Sequence, residues 1–217
     1  MKTDRNRRSS GRRPATLAAL LTAGLIAAAW APAMEAAPRR AGHSDLFFGL
    51  GAVDSDEAQI FGGVSLQQEQ GNTIAIRWRL HFNDLFALET DLTHENGRVN
   101  LRDHGDTIDS ADADTNYFLV NGVFDFVRGP ISPFVSFGFG SFDHKANGIL
   151  LPTGGSSFSV TDITEHGGVL DFAAGVDGRQ SNSLAWLFEA RYLSYGFSDF
   201  KDDWGRISYS GYIGISF

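Results

Sequence analysis

The chain has 217 residues, a length typical of one domain, and 42% of them are hydrophobic and 12% aromatic, so most of it can fold around a buried core. It contains no cysteine, which excludes disulfide frameworks, thiolate zinc sites and cysteine nucleophiles. Six of the 18 Lys and Arg residues but only one of the 26 acidic residues lie in positions 1–33, so the formal net charge of −8 becomes −13 for the rest of the chain. Such an acidic chain is not expected to bind nucleic acid.

The N-terminal 33 residues have the layout of a cleavable secretory signal peptide. A basic segment, residues 1–13, precedes an apolar run over residues 15–31, and Ala31-Pro32-Ala33 is a small-x-small cleavage site. We therefore predict cleavage after Ala33, followed by a short linker over residues 34–44. The alternative is an uncleaved membrane anchor, because the apolar run is marginally long enough to span a bilayer.

The rest of the chain, residues 45–217, has the periodicity of membrane-spanning strands. Segments of about ten residues alternate apolar with small or polar side chains and are separated by clusters of Gly, Asn, Asp and Ser. No apolar run after Ala33 is long enough for a membrane-spanning helix. The predicted strands cover residues 45–53, 73–82, 86–95, 116–127, 132–143, 167–178, 184–195 and 207–217.

The alternation gives each strand one apolar and one polar face. We predict that the apolar faces point outward, toward lipid, and that charged residues point into the barrel. The residues predicted to face outward include Ile74, Ile76, Trp78, Leu80, Phe137, Phe139, Phe188, Ile213 and Ile215, and those predicted to face inward include Arg77, Arg79, Glu189 and Arg191. Periodicity alone also fits a soluble barrel with the reverse orientation.

The connections between strands favour the membrane barrel. The links at residues 83–85, 128–131 and 179–183 are short, whereas the other links are long and polar. Outer-membrane barrels have short turns at one end and long loops at the other. The predicted fold is therefore all-β, an eight-stranded antiparallel up-and-down transmembrane β-barrel.

Turn lengths predict which residues oppose each other, because opposed residues of an antiparallel pair share a face. A three-residue turn at 83–85 is consistent with both faces and opposes two pairs of opposite charge. The predicted pairs are Arg79 with Glu89, Arg77 with Asp91, Phe124 with Val135, Gly122 with Phe137, Val123 with Ser136, Asp171 with Arg191, and Val176 with Trp186.

The predicted lumen is a charged plug. An eight-stranded barrel is just wide enough inside for side chains to fill it, and buried charges are tolerated there when they are paired. We expect a structural ion-pair network of Arg77, Arg79, Glu89, Asp91, Asp125, Asp171, Glu189 and Arg191. A narrow gated path for small solutes is the alternative.

Several segments resemble a known family. The strands LFFGLGAV, SPFVSFGFG, DFAAGVDGR and LFEARYLSYGF, together with the terminal Phe217, resemble the small eight-stranded outer-membrane barrels, whose members include the OmpA transmembrane domain and OmpX. The resemblance covers residues 45–217 and implies an outer-membrane location in a Gram-negative cell. It also implies contact with outer-membrane lipids and lipopolysaccharide, and assembly by periplasmic chaperones and the outer-membrane assembly machinery, with Phe217 as the assembly signal.

The candidates for chemistry are weak. Some eight-stranded barrels modify lipid A, but no histidine here has a serine two positions later, which is the pair used by the lipid A deacylases. Ser141, Asp143 and His144 are close in sequence, yet Ser141 and His144 are predicted to lie on opposite faces. The predicted loop 96–115 is acidic from Asp103 to Asp114, and its end at Asp112 resembles the start of a calcium loop. Tyr117 stands where an EF-hand needs Gly and Val123 where it needs Glu, which favours a solvated loop over a calcium site.

We therefore predict no catalytic residue, no cofactor and no metal site. The leading interpretation is a non-enzymatic integral outer-membrane protein whose long loops have an envelope or surface-interaction role. A lipid A-modifying outer-membrane enzyme and a narrow gated channel are the alternatives.

Overall fold

The computed structural model describes residues 42–54, 56–61, 64–127, 130–154, 157–180, 183–195 and 205–217. The predicted signal peptide and most of the predicted linker lie outside these residues. No helix of the described residues is long and apolar enough to cross a membrane. The strands are β1 Ser44–Val53, β2 Asp56–Phe61, β3 Val64–Gln68, β4 Gly71–His81, β5 Phe86–Asp103, β6 Asp106–Asp125, β7 Ile131–Gly154, β8 Ser157–Arg179, β9 Leu184–Ser194 and β10 Gly205–Ser216.

Eight strands form a closed antiparallel ring. The order around the ring is β1, β4, β5, β6, β7, β8, β9 and β10, and β10 pairs with β1 to close it. Strands β2 and β3 form a hairpin that pairs with the outer part of β5. The predicted all-β, eight-stranded up-and-down barrel is confirmed.

The two faces of the strands point in the predicted directions. Every residue predicted to face outward is exposed or half-buried, and Ile213 has 68% of its surface exposed. Arg77 and Arg79 are fully buried, and Glu189 and Arg191 are buried with them. A soluble barrel would need the reverse arrangement, so that alternative was wrong.

Strands β5 and β6 extend much further than predicted. Residues 96–115 are not an irregular loop, because the two strands continue as a paired hairpin up to Asp103 and Asp106. The turn residues His104 and Gly105 have φ values of 50° and 96°, and positive φ at both central positions is the feature of a two-residue type I′ turn. Strands β7 and β8 likewise continue to Gly154 and Ser157.

A small apolar core between the extended parts of the strands explains these extensions. Its buried residues come from β5, β6 and β7, and Ile163 of β8 packs against them. Leu101 is completely buried in this cluster. The signal was present in the sequence, since Val99 and Leu101 continue the period of two, but the many aspartates in this segment favoured a loop. The core consists of Val99, Leu101, Ala111, Ala113 and Ala146.

Two of the three predicted registers are confirmed. Strands β4 and β5 oppose Arg79 with Glu89 and Arg77 with Asp91 across the three-residue turn. Strands β6 and β7 oppose their residues as predicted, including Phe124 with Val135.

The third register, between β8 and β9, was wrong by two residues. Asp171 opposes Leu193, Arg191 opposes Ala173, and Trp186 opposes Gly178. A shift of two keeps every side chain on its face, so alternation alone does not distinguish the two registers. The observed register fits the indole ring, because a Cβ atom at Gly178 would lie only 2.2 Å from an atom of Trp186.

Candidate functional site

Arg77 is at the centre of the charged lumen. Its Nη2 donates to Asp91 Oδ2 at 2.7 Å, to Glu189 Oε1 at 2.7 Å and to the Tyr212 hydroxyl at 2.7 Å. Its Nε lies 3.2 Å from Glu89 Oε1. One guanidinium group therefore joins strands β4, β5, β9 and β10.

Two further arginines extend this network. Arg79 pairs with Glu89 and with Asp177, each at 2.7 Å. Arg191 lies 2.8 Å from Asp91 and 3.4 Å from Asp171, so the predicted proximity of Arg191 and Asp171 is met by a diagonal contact despite the corrected register. Opposed pairs, a diagonal pair and pairs that cross the lumen from β4 to β8 and β9 together fill the interior.

The structure brings together the residues that the sequence predicted. The buried members are Arg77, Arg79, Glu89, Asp91, Asp125, Asp171, Glu189 and Arg191. Asp177 and Tyr212 also belong to this network, although they are not among the residues predicted from the sequence. Asp177 shares the inward face of β8 with Asp171, and Tyr212 lies on the polar face of β10, so the alternation contained the signal for both residues.

A second polar cluster lies at the end with short turns, where the ring closes. Asp45 accepts hydrogen bonds from Ser216 Oγ at 2.5 Å and from Arg179 Nη2 at 3.0 and 3.1 Å. His81 and His43 contact the same carboxylate at 2.8 and 3.1 Å. The carboxylate lies between the serine and the imidazoles, whereas a nucleophilic serine needs the base beside it.

A third cluster lies at the outer mouth, at the end of the ring with the long connections. Glu95 accepts from Arg206 Nη1 at 2.5 Å, from Gln68 Nε2 at 3.0 Å and from the Tyr117 hydroxyl at 3.2 Å. A cavity of about 10 Å³ adjoins Arg206 and His144. That volume is about the space required by one water molecule.

His144 faces this cavity at the level where the outward residues have become polar. Its Nδ1 lies 2.8 Å from Thr115 Oγ1. Burial, assisted by the nearby Arg206 guanidinium, lowers the pKa of His144 from 6.5 to about 4, so the imidazole is neutral at pH 7.

The Ser141, Asp143 and His144 group does not assemble into a triad. Ser141 is exposed on the outer face, whereas His144 is buried on the inner face. Asp143 contacts His166 at 3.0 Å on the outside of the barrel. Among the described residues, no three His, Asp or Glu side chains are grouped in a way that could hold a metal ion.

Of the acidic residues between Asp103 and Asp114, Asp106, Asp112 and Asp114 are exposed, whereas Asp103 and Asp109 are half-buried. Asp112 contacts Arg98 at 3.3 Å, and Asp114 lies 3.9 Å from His94. Both pairs are largely exposed to solvent.

The sequence profile of the family described as outer membrane protein beta-barrel domain matches residues 17–211. This chain belongs to that family. It is therefore an outer-membrane protein of the Gram-negative envelope, and the apolar outer face described above is the face toward lipid.

Solved structures show the same fold at low sequence identity. The crystal structure of Ail, the attachment invasion locus protein of Yersinia pestis, is 15% identical, with a TM-score of 0.50, and the match covers 82% of this chain and all of Ail. Ail in complex with the heparin analogue sucrose octasulfate matches with 14% identity, the same coverages and a TM-score of 0.52. Neisserial surface protein A matches with 13% identity and a TM-score of 0.48, over 81% of this chain and 96% of that one. The comparison with curated proteins gives no match.

Proposed function

We propose that this protein is a non-enzymatic outer-membrane barrel whose extended hairpins bind a partner outside the cell. The observation that supports this most is the ordered continuation of β5 and β6 beyond the apolar surface. Leu92 on β5 and Phe118 on β6 are the last exposed large apolar residues of the continuous apolar surface, and beyond them Ile108 near the turn is exposed as well. Beyond Leu92 the hairpin continues to Asp103, about 36 Å at about 3.3 Å per residue, and its apolar residues pack with Ala146 of β7 and Ile163 of β8.

The charge of these hairpins favours a basic partner. Exposed acidic residues outnumber the exposed basic residues Arg98 and Lys145 on the described parts of β5 to β8. The Ail complex contains an octasulfate, a polyanion, and an acidic surface repels such a ligand. We therefore propose a partner with a positively charged surface. The exposed acidic positions include Asp106, Asp112, Asp114 and Asp162.

Binding to charged surfaces tests this proposal. Lipid vesicles with the folded protein should adhere to poly-lysine beads more than empty vesicles do, and should not be retained on heparin beads. Replacing Asp106, Asp112 and Asp114 by Asn should remove most of the adhesion, whereas Glu at the same three positions keeps the charge and is the matched control. Retention on heparin, or equal adhesion of the Asn variant, would contradict the proposal.

The non-enzymatic part of the proposal rests on the separation of Ser141 from His144. A serine nucleophile needs a base within hydrogen-bond reach, and these two side chains lie on opposite faces of β7. Lipopolysaccharide incubated with the folded protein should keep its lipid A mass unchanged in mass spectra. Loss or transfer of an acyl chain would contradict a non-enzymatic function.

We also propose that the predicted signal peptide directs export and that Phe217 is the signal for the assembly machinery. Phe217 exchanges two backbone hydrogen bonds with Ser44 where the ring closes. N-terminal sequencing of the protein from outer membranes should begin at Met34. Deletion of Phe217 should lower the folded fraction of the protein in cells more than it lowers the folded fraction after refolding without the assembly machinery. Equal decreases in the two folded fractions would indicate that Phe217 has only a structural role.

A further inference from the structure

The central lumen has more buried negative than positive groups. Asp125 interacts electrostatically with Arg79, and each of the other five carboxylates of the central lumen contacts Arg77, Arg79 or Arg191 directly. If all these groups were ionised, the lumen would have a large negative excess in a medium of low polarity, which is costly. Three guanidinium groups, of Arg77, Arg79 and Arg191, face six carboxylates, of Glu89, Asp91, Asp125, Asp171, Asp177 and Glu189.

Asp171 and Asn121 form a built site within this excess. Asn121 Nδ2 donates to Asp171 Oδ2 at 2.7 Å. Both residues are completely buried, and Asn121 Oδ1 has no hydrogen-bond partner. Asp171 Oδ1 also makes no hydrogen bond, and its contact with a positive group is the ion pair of 3.4 Å with Arg191 Nε. A further bound positive charge would satisfy the amide oxygen and shorten the contacts of the carboxylate.

The backbone between these residues makes room for the contact. Gly138 of β7 is the register partner of both Asn121 on β6 and Asp171 on β8. A Cβ atom at this position would lie 1.8 Å from Asn121 Oδ1. The missing side chain lets the amide reach across β7 to the carboxylate.

We infer that the lumen binds one further positive charge at Asp171 and Asn121, either a proton on Asp171 or a monovalent metal cation between the two oxygens. A proton on Asp171 would donate to Asn121 Oδ1 once the amide turns by half a rotation, because the oxygen then takes the place of the nitrogen. The charged groups that act on Asp171 are Arg191 and Glu189 on β9, Arg77 on β4 and Asp91 on β5, and the Tyr212 hydroxyl on β10 is hydrogen-bonded to Arg77.

Unfolding in urea, with the protein in lipid vesicles, tests the inference and separates the two sources of charge. If Asp171 holds a proton in the folded protein, the free energy of unfolding falls as the pH rises. The reason is that an aspartate of the unfolded chain binds no proton near neutral pH, so unfolding releases the proton. The unfolding constant then increases by up to about tenfold per pH unit for one proton. A metal cation instead raises the midpoint in sodium or potassium chloride over that in tetramethylammonium chloride. Asp171→Asn should remove whichever dependence is found, whereas Asp112→Asn on the exposed hairpin should keep it.

Infrared spectroscopy gives a readout that needs no variant. Folded wild-type protein with ¹³C-labelled aspartate should show the carbonyl band of a neutral carboxylic acid at neutral pH if the charge is a proton. If the band is absent, the bound charge must be a metal cation, and sodium or potassium chloride must then raise the urea midpoint over that in tetramethylammonium chloride. Absence of both, or a wild-type dependence that Asp171→Asn retains in full, would overturn it.

Discussion

At the scale of single residues, the lumen depends on carboxylates that each serve more than one arginine. Glu89 lies 2.7 Å from Arg79 and 3.2 Å from Arg77. Glu89→Ala therefore leaves two buried guanidinium groups with one fewer partner. We expect it to lower the free energy of unfolding by about 3–5 kcal/mol, the usual cost of breaking a buried pair. The urea midpoint in lipid vesicles measures the change.

A double-mutant cycle tests whether this loss is a loss of pairing. Arg79→Ala in the Glu89→Ala background should recover part of the stability, although only part, because Arg79 also pairs with Asp177 at 2.7 Å. The exposed pair Arg98 and Asp112 is the matched control, and its removal should change the midpoint little. Additive effects of Glu89→Ala and Arg79→Ala would show that the two side chains are not coupled.

At the scale of strands, the sequence predicted faces better than lengths or registers. The period of two assigns every residue to a face, and short turns then fix the register where only one turn length keeps charges opposed to charges, as at Arg79 and Glu89. Between β8 and β9 a second register also preserves the faces, and the choice depends on the fit of Trp186 against Gly178, which alternation does not contain. In the extended hairpins Val99 and Leu101 continue the alternation, but the packing that buries them comes from other strands and is not contained in that segment.

The register of β8 and β9 makes Gly178 a sensitive position. A side chain there meets the Trp186 ring, with 2.2 Å between the added Cβ atom and the nearest ring atom. We expect Gly178→Val to lower the folded fraction, measured by heat-modifiable migration on gels. Ala174→Val, at an exposed position on the same face of β8, should fold like the wild type. Normal folding of Gly178→Val would argue against this register.

The outer hairpins should unfold separately from the barrel. Leu101 is completely buried in the small core above the membrane, whereas Ile108 near the tip is 46% exposed. Leu101→Asp places a charge in that core, so we expect the hairpins to become sensitive to protease while the barrel fragment stays resistant. Ile108→Asp is the control and should leave the digestion pattern unchanged. A Leu101→Asp variant that fails to form a heat-modifiable barrel would show that the hairpins and barrel fold as one unit.

At the scale of the whole molecule, the lumen is filled by alternating polar and apolar layers. The Asp45 cluster, the arginine network and the Glu95 cluster follow each other along the barrel axis. Apolar side chains lie between them, with Phe47, Phe134 and Leu187 in one cluster and Leu119, Val169 and Leu193 in another. The sequence predicted the arginine network because its members alternate with lipid-facing residues. The clusters at the two ends depend on barrel closure, which brings residues far apart in sequence together.

These layers predict that the wild-type protein has no standing pore. An eight-stranded ring leaves only the space that its own side chains fill, and an ion would have to displace paired arginines and two apolar clusters to cross. Purified protein in planar bilayers should show no steady current, at most brief and rare openings, under conditions in which a sixteen-stranded porin in the same lipid conducts continuously. Arg77→Ala removes the group that joins four strands, so any openings should become more frequent in that variant than in Arg98→Ala, which changes only the outer surface. A steady porin-like current from wild-type protein would show that the layers do not close the lumen.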